Sequence, residues 1–272
     1  MLYDTHMHTV HSDGRQEVED MCQRAIADGV NGITITDHAD MNFYEERNHL
    51  ERIKACINDV EAAKERYQGK LDVLCGVELG EYLYAPENAK KILALPGFDA
   101  ILCSVHLVPQ ARWEKPYNRI PFSEDGSDAE LVDYLRLYFD LLSDTVDAFD
   151  FDILAHISCP VRYMTGLHQR KVDAMQFAPK IREILQKIID RNIALEWNTG
   201  GLYEKFHDCN IQNDEIFALY RSMGGTMVSL GSDAHHSVSI CHSFPEAINS
   251  LKKLGFDGYY YFHNRTPQKV MF

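Results

Sequence analysis

No run of 18 apolar residues occurs in the 272-residue chain, so no transmembrane helix is expected. Nor does a basic start lead into an early apolar stretch; His6, His8 and His11 occupy the place of a signal peptide, and none is expected. Positive charge is in short supply: 27 Lys and Arg stand against 41 Asp and Glu, a formal net charge of −14. A general nucleic-acid or anionic-membrane binder needs clustered cations, so neither partner is expected. The seven cysteines (22, 56, 75, 103, 159, 209 and 241) contain no CxxC pair. An odd, scattered set in a chain of this size excludes a small disulfide scaffold and fits a reduced, cytoplasmic setting. Low-complexity linkers, composition shifts and short repeats are also missing, and residues 1–272 are read as one domain.

What is present is an alternation. Strand-like runs at 2–8, 32–38, 72–78, 99–106, 151–156, 193–198 and 226–233 are β-branched and mostly continuous, the pattern of a parallel sheet buried on both faces. Between them, stretches such as 19–29, 49–68, 130–149 and 177–192 repeat apolar residues at helical spacing. Seven β–α repeats favour a parallel barrel over an open sheet. One more strand-like run, 258–264, is expected to pack outside it.

The polar residues fall at the strand ends. His6 and His8 close the first run, Asp37 and His38 the second, Glu78 the third, His106 the fourth, His156 the fifth, Asn198 the sixth, and Asp233 and His235 the seventh. A lone histidine at a strand end is usually a surface or capping residue. Seven such ends are a different matter, because a βα barrel builds its active site where its strands end. Buried imidazoles and carboxylates converging there need partners, and metal ions supply them. In the opening DTHMHTVHSDG, His6 and His8 share a strand face and fit one ion, while Asp4, on the same face one step deeper, is placed to accept an imidazole N–H.

In order, DTHMH with SDG, TDH, GVE, SVH, LAH and SDAH resemble the motifs of the PHP (polymerase and histidinol phosphatase) superfamily, over nearly the whole chain. The resemblance implies a distorted (β/α)7 TIM-like barrel with two or three divalent ions of Zn, Mn or Fe. His6, His8, Glu78 and Asp233 would hold the first ion; Glu78, His106 and His156 the second; Asp13, His38 and His235 the third. His11 falls where the family usually carries a non-ligand. About six positive charges from three ions, set against Asp13, Glu78, Asp233 and one hydroxide, leave roughly +2, which suits a phosphate-monoester dianion.

Within the superfamily, HISCPVRYM (156–164), EWNTGGL (196–202) and YYYFHNRTP (259–267) resemble the stand-alone histidinol-phosphate phosphatases, although Gly200 stands where serine is frequent. That likeness implies hydrolysis of L-histidinol phosphate, a step of histidine biosynthesis, by a hydroxide bridging two ions. Arg162 would clamp the phosphate, with Asn198, Trp113 and Arg265 as further substrate contacts. A bound water, Asp233 or a nearby histidine would protonate the leaving alkoxide. In the long segment 107–128, Trp113, Lys115, Tyr117 and Arg119 are placed to cover the substrate or to pack on one another. The rivals are another small phosphomonoester, nucleotide or phosphotyrosine as substrate, a PHP-type nuclease, and a silent metal-binding protein. The oligomeric state is not legible.

Overall fold

The computed structural model describes residues 1–109, 115–120, 122, 126–202 and 211–272. Strand β1 (Tyr3–Met7) is followed by α1 (Val18–Ala27), β2 (Gly32–Ile35), β3 (His38–Asp40) and α2 (His49–Arg66). Next come β4 (Asp72–Gly80), α3 (Pro86–Leu93), β5 (Ala100–Ser104), α4 (Asp128–Ala148) and β6 (Ile153–Leu154). The one-turn α5 (Cys159–Val161), α6 (Ala178–Asp190), β7 (Ala194–Asn198), α7 (Ile211–Ser222) and β8 (Val228–Gly231) lead to α8 (Phe244–Lys253) and the hairpin β9 (Gly258–His263) and β10 (Thr266–Met271).

The strands run parallel in the order β1-β2-β4-β5-β6-β7-β8, with β3 on β4. β2 and β3 are one interrupted strand, since Ile35 pairs with Cys75 and His38 with Glu78 at the same offset. The interruption lies at Asp37, whose buried carboxylate turns away to accept the Thr9 N–H at 2.8 Å and the Thr9 hydroxyl at 2.6 Å. β8 returns to β1 through a Met7–Ala234 bridge and a 2.9 Å bond from the His8 N–H to the Ala234 carbonyl, nearly closing a seven-membered barrel. Both faces of the strands are covered, as their continuous apolar runs require: β1, β5 and β7 are buried throughout. The helices lay one stripe on them; α6 buries Ile181, Ile184, Leu185 and Ile188 at helical spacing. A capping box starts α4, the Glu130 N–H donating to the Ser127 hydroxyl and the Ser127 N–H to the Glu130 carboxylate.

The strand expected over 151–156 is cut to Ile153–Leu154, because His156 has left the ladder with φ at 22°. The hairpin lies under the strand starts. Tyr261 stacks on Tyr3 with ring centres 3.8 Å apart, the Tyr3 N–H donates to the Tyr259 hydroxyl at 2.8 Å, and Arg265 Nε pairs with Asp152. Arg265 therefore stands at the barrel end opposite the strand-end histidines, which corrects its expected role as a substrate contact. Among the described residues, no helix is long and apolar enough to cross a membrane.

Candidate metal centre

At the C-terminal mouth, the fold brings together all nine residues expected as ligands. Glu78 sits at the middle, directly beside His38 in the β3–β4 ladder. Its Oε1 lies 2.7 Å from His156 Nε2 and 3.1 Å from His106 Nε2; its Oε2 lies 2.8 Å from His38 Nδ1, 3.3 Å from His6 Nε2 and 3.6 Å from His8 Nε2. Asp233 Oδ1 is 3.2 Å from His8 Nε2 and 3.8 Å from His6 Nε2. Asp13 Oδ1 is 3.1 Å from His235 Nε2 and 3.5 Å from His38 Nε2. These contacts resolve into groups of donor atoms within 4.8 Å of one another, among them His6, His8 and Asp233; His6, Glu78 and His156; His38, Glu78 and His106; and Asp13, His38 and His235 joined by His8.

The donor set fits metal ions on its own geometry. His6 Nδ1 is 2.6 Å from Glu196 Oε1 and donates to that carboxylate, so in the neutral ring Nε2 presents a lone pair. That lone pair points at His8 Nε2, 3.1 Å away, and at two carboxylates. Buried acceptors facing one another need a cation between them. Glu78 Oε2 repeats the pattern: it is buried and lies close to three imidazoles, yet makes no hydrogen bond among the described residues. All donors are nitrogen or oxygen, a set that suits Zn, Mn or Fe.

The charges are arranged to match. Burial alone would raise the Glu78 carboxyl, but His38, His106, His6 and His156 hold it well below the usual carboxylate range. Burial would also raise Asp233, and His6, His8, His235 and Arg162 again keep it well below that range. Asp233 thus stands ionised, ready to accept. Burial, with His38 and His235 alongside, pushes His8 down to about 4, leaving it the neutral imidazole that ligates.

Arg162 enters this mouth from a π-helical turn, Arg162–Leu167, of the kind often found at functional sites. It is 9% exposed, with NH2 3.4 Å from Asp233 Oδ2 and NH1 2.8 Å from Asn198 Oδ1. Asn198, expected as a substrate contact, stands behind Arg162 instead and also donates to Glu196 Oε2 at 3.2 Å. Gly200 makes room for this pair: a Cβ there would lie 2.5 Å from Arg162 NH1 and 2.8 Å from Asn198 Oδ1. The open cavity at the mouth is lined by Arg162, Tyr163, Tyr117, Arg119, His106 and His235, among others. Trp113 lies outside the described residues. His11 is turned outward, its Nε2 2.8 Å from the exposed Asp59 carboxylate.

Three carboxylates at the centre were not foreseen. Glu196 holds His6 and, through Oε2, accepts the His156 N–H at 2.7 Å. Asp40 Oδ1 lies 3.3 Å from His106 Nδ1, and Glu81 accepts the N–H groups of His106 and Leu107. An acid inside an otherwise apolar strand, as in IALEWN, is the signal that marks Glu196. Asp4, expected to steady an imidazole, binds backbone instead, accepting from Ser232 at 3.0 Å and Cys241 at 2.8 Å. It ties the end of β8 to β1.

Comparison with known proteins adds to this geometry. The PHP domain model matches residues 4–200. A "probable histidinol-phosphatase" of Clostridium acetobutylicum is 29% identical over 91% of this chain and 92% of its own length. Another, from Deinococcus radiodurans, is 25% identical over 93% of this chain and 94% of its own. Among solved structures, histidinol phosphate phosphatase of Lactococcus lactis, complexed with zinc, L-histidinol and phosphate, superposes with a TM-score of 0.73 at 20% identity, covering 98% of this chain and 99% of that one.

Proposed function

The chain belongs to the PHP domain family, and from that premise we propose that it is a metal-dependent phosphomonoester hydrolase acting on L-histidinol phosphate, releasing L-histidinol and phosphate. The observation that carries the reading is the meeting of nine nitrogen and oxygen donors with one buried guanidinium, Arg162, at the wall of an open cavity. The relatives named histidinol-phosphatase, similar over nearly their full length, support the choice of substrate. So does the zinc, L-histidinol and phosphate in the Lactococcus lactis structure.

His6, His8, Glu78 and Asp233 hold one ion in this reading, Glu78, His106 and His156 a second, and Asp13, His38 and His235 a third. Divalent ions there supply Lewis acidity toward the phosphoryl group and toward water. The protein's own part is positional. Arg162 takes the non-bridging phosphate oxygens by charge-assisted hydrogen bonds, and Asp233 and Asn198 hold it for that task. Glu196 keeps His6 in the tautomer that ligates, and Asp40 does the same for His106. Tyr117 and Tyr163, ring centres 5.2 Å apart and tilted by 43°, flank the cavity where the organic part of the substrate would lie. The six described cysteines are all free and five are buried, which fits a reduced setting.

The test is phosphate release from histidinol phosphate, nucleotides and a phosphotyrosine peptide, with and without chelator. Turnover of histidinol phosphate that stops on metal removal is expected. Activity surviving complete metal removal overturns the chemistry, and good metal-dependent activity on the other esters alone overturns the substrate.

A further inference from the structure

Near Asp40, one part of the cavity lining carries acceptors that lack donors. Glu81 follows β4 in a left-handed backbone conformation, φ 53°, and is 5% exposed. One of its oxygens is used by the N–H groups of His106 and Leu107; the other, Oε2, is buried with no hydrogen-bond partner among the described residues. Asn42 Oδ1 is buried without a partner as well. The two belong to neighbouring turns, Met41–Phe43 packing on Tyr82–Tyr84, and both residues line the cavity that Arg162 lines. Asp40 adds a charge beside them. Its Oδ1 is 3.3 Å from His106 Nδ1 and its Oδ2 is 3.5 Å from Arg47 NH1, so Arg47 takes that oxygen and leaves Glu81 Oε2 and Asn42 Oδ1 to a ligand.

We propose that Glu81 Oε2 and Asn42 Oδ1, backed by Asp40, seat an alkylammonium group, so that the protein selects phosphomonoesters carrying a protonated amine. An ammonium brings three N–H donors and one positive charge to two unpartnered acceptors beside the Asp40 carboxylate. A metal ion fits the same carboxylates less well. His106, the third member of the Asp40–Glu81 group, already gives Nδ1 to Asp40 while its Nε2 faces Glu78. This inference rests on the phosphatase reading and narrows it: Arg162 and the metal centre take the phosphate, Glu81 and Asn42 the amine.

The experiment compares kcat/KM of the metal-loaded protein for L-histidinol phosphate and for the same ester lacking the amine, 3-(imidazol-4-yl)propyl phosphate. The wild type should prefer the amine at least about tenfold, because a site built for N–H donors rejects the analogue lacking them. Glu81→Gln should cut that preference at least about tenfold, and Asn42→Ala, at a half-buried position in a short turn outside the barrel strands, should cut it about threefold. Equal use of both esters by the wild type, or an unchanged preference in both variants, overturns the proposal. So does a metal count that falls by one ion per chain in Glu81→Gln. If no phosphomonoester is hydrolysed, the phosphatase reading fails by itself, and calorimetric binding of L-histidinol then decides: binding that weakens in Glu81→Gln upholds the ammonium seat, and absent or unchanged binding removes it.

Discussion

Arg162 and Glu196 show how two buried side chains serve one centre in different ways. Arg162 faces the cavity, so Arg162→Ala is expected to lower kcat/KM about 100-fold while the metal content, read by elemental analysis, stays intact. Glu196 touches His6 and no cavity surface is needed for its effect; Glu196→Gln is expected to weaken metal binding about 10–100-fold in a chelator competition. An unchanged affinity would reduce that contact to packing. The ligands were visible because polar groups recur at seven successive strand ends, four of them (His38, Glu78, His106 and His156) continuing apolar runs, whereas each histidine alone has a bland explanation. It hid Glu196 two positions before the more conspicuous Asn198. It also misdirected Asp4: strand parity gives the side on which a carboxylate lies, but its partners, the N–H groups of Ser232 and Cys241, come from chain more than 220 residues away.

At the scale of elements, periodicity located the strands and misjudged where several end. The run through 32–38 is split at Asp37 because that carboxylate is claimed by the loop carrying Thr9, a long-range demand no local pattern contains. The final hairpin illustrates the same limit. YYYFHN was legible as a strand, whereas its seat beneath the barrel, and with it the true role of Arg265, depends on Asp152 and Tyr3. Arg265→Ala leaves the buried Asp152 carboxylate with the Ile101 N–H alone among its described partners. A loss of about 1–3 kcal/mol in stability is expected, seen as a lowered Tm with kcat/KM unchanged. A kinetic defect at full stability would return Arg265 to the active end.

For the whole molecule, the barrel and its centre depend on each other. The centre holds Glu78 among five imidazoles, and ions bound only by the folded chain add RT ln(1 + [L]/Kd), about 4 kcal/mol at 1,000 times Kd for each site. Calorimetry with and without chelator should therefore show a Tm lowered by several degrees on metal removal; an unchanged Tm would mean that the donors are neutralised by one another. The return of β8 to β1 at Met7 and Ala234 sets the timing of this assembly during synthesis. His6 and His8 leave the ribosome early, but Asp233 and His235 follow only after most of the chain, on the order of 10–45 s later at ordinary elongation rates. A nascent chain cannot complete the two groups that need Asp233 and His235, so full loading of the centre is expected only after β8 has joined β1, and a truncation before β8 is expected to remove those two sites whatever the length of barrel already made.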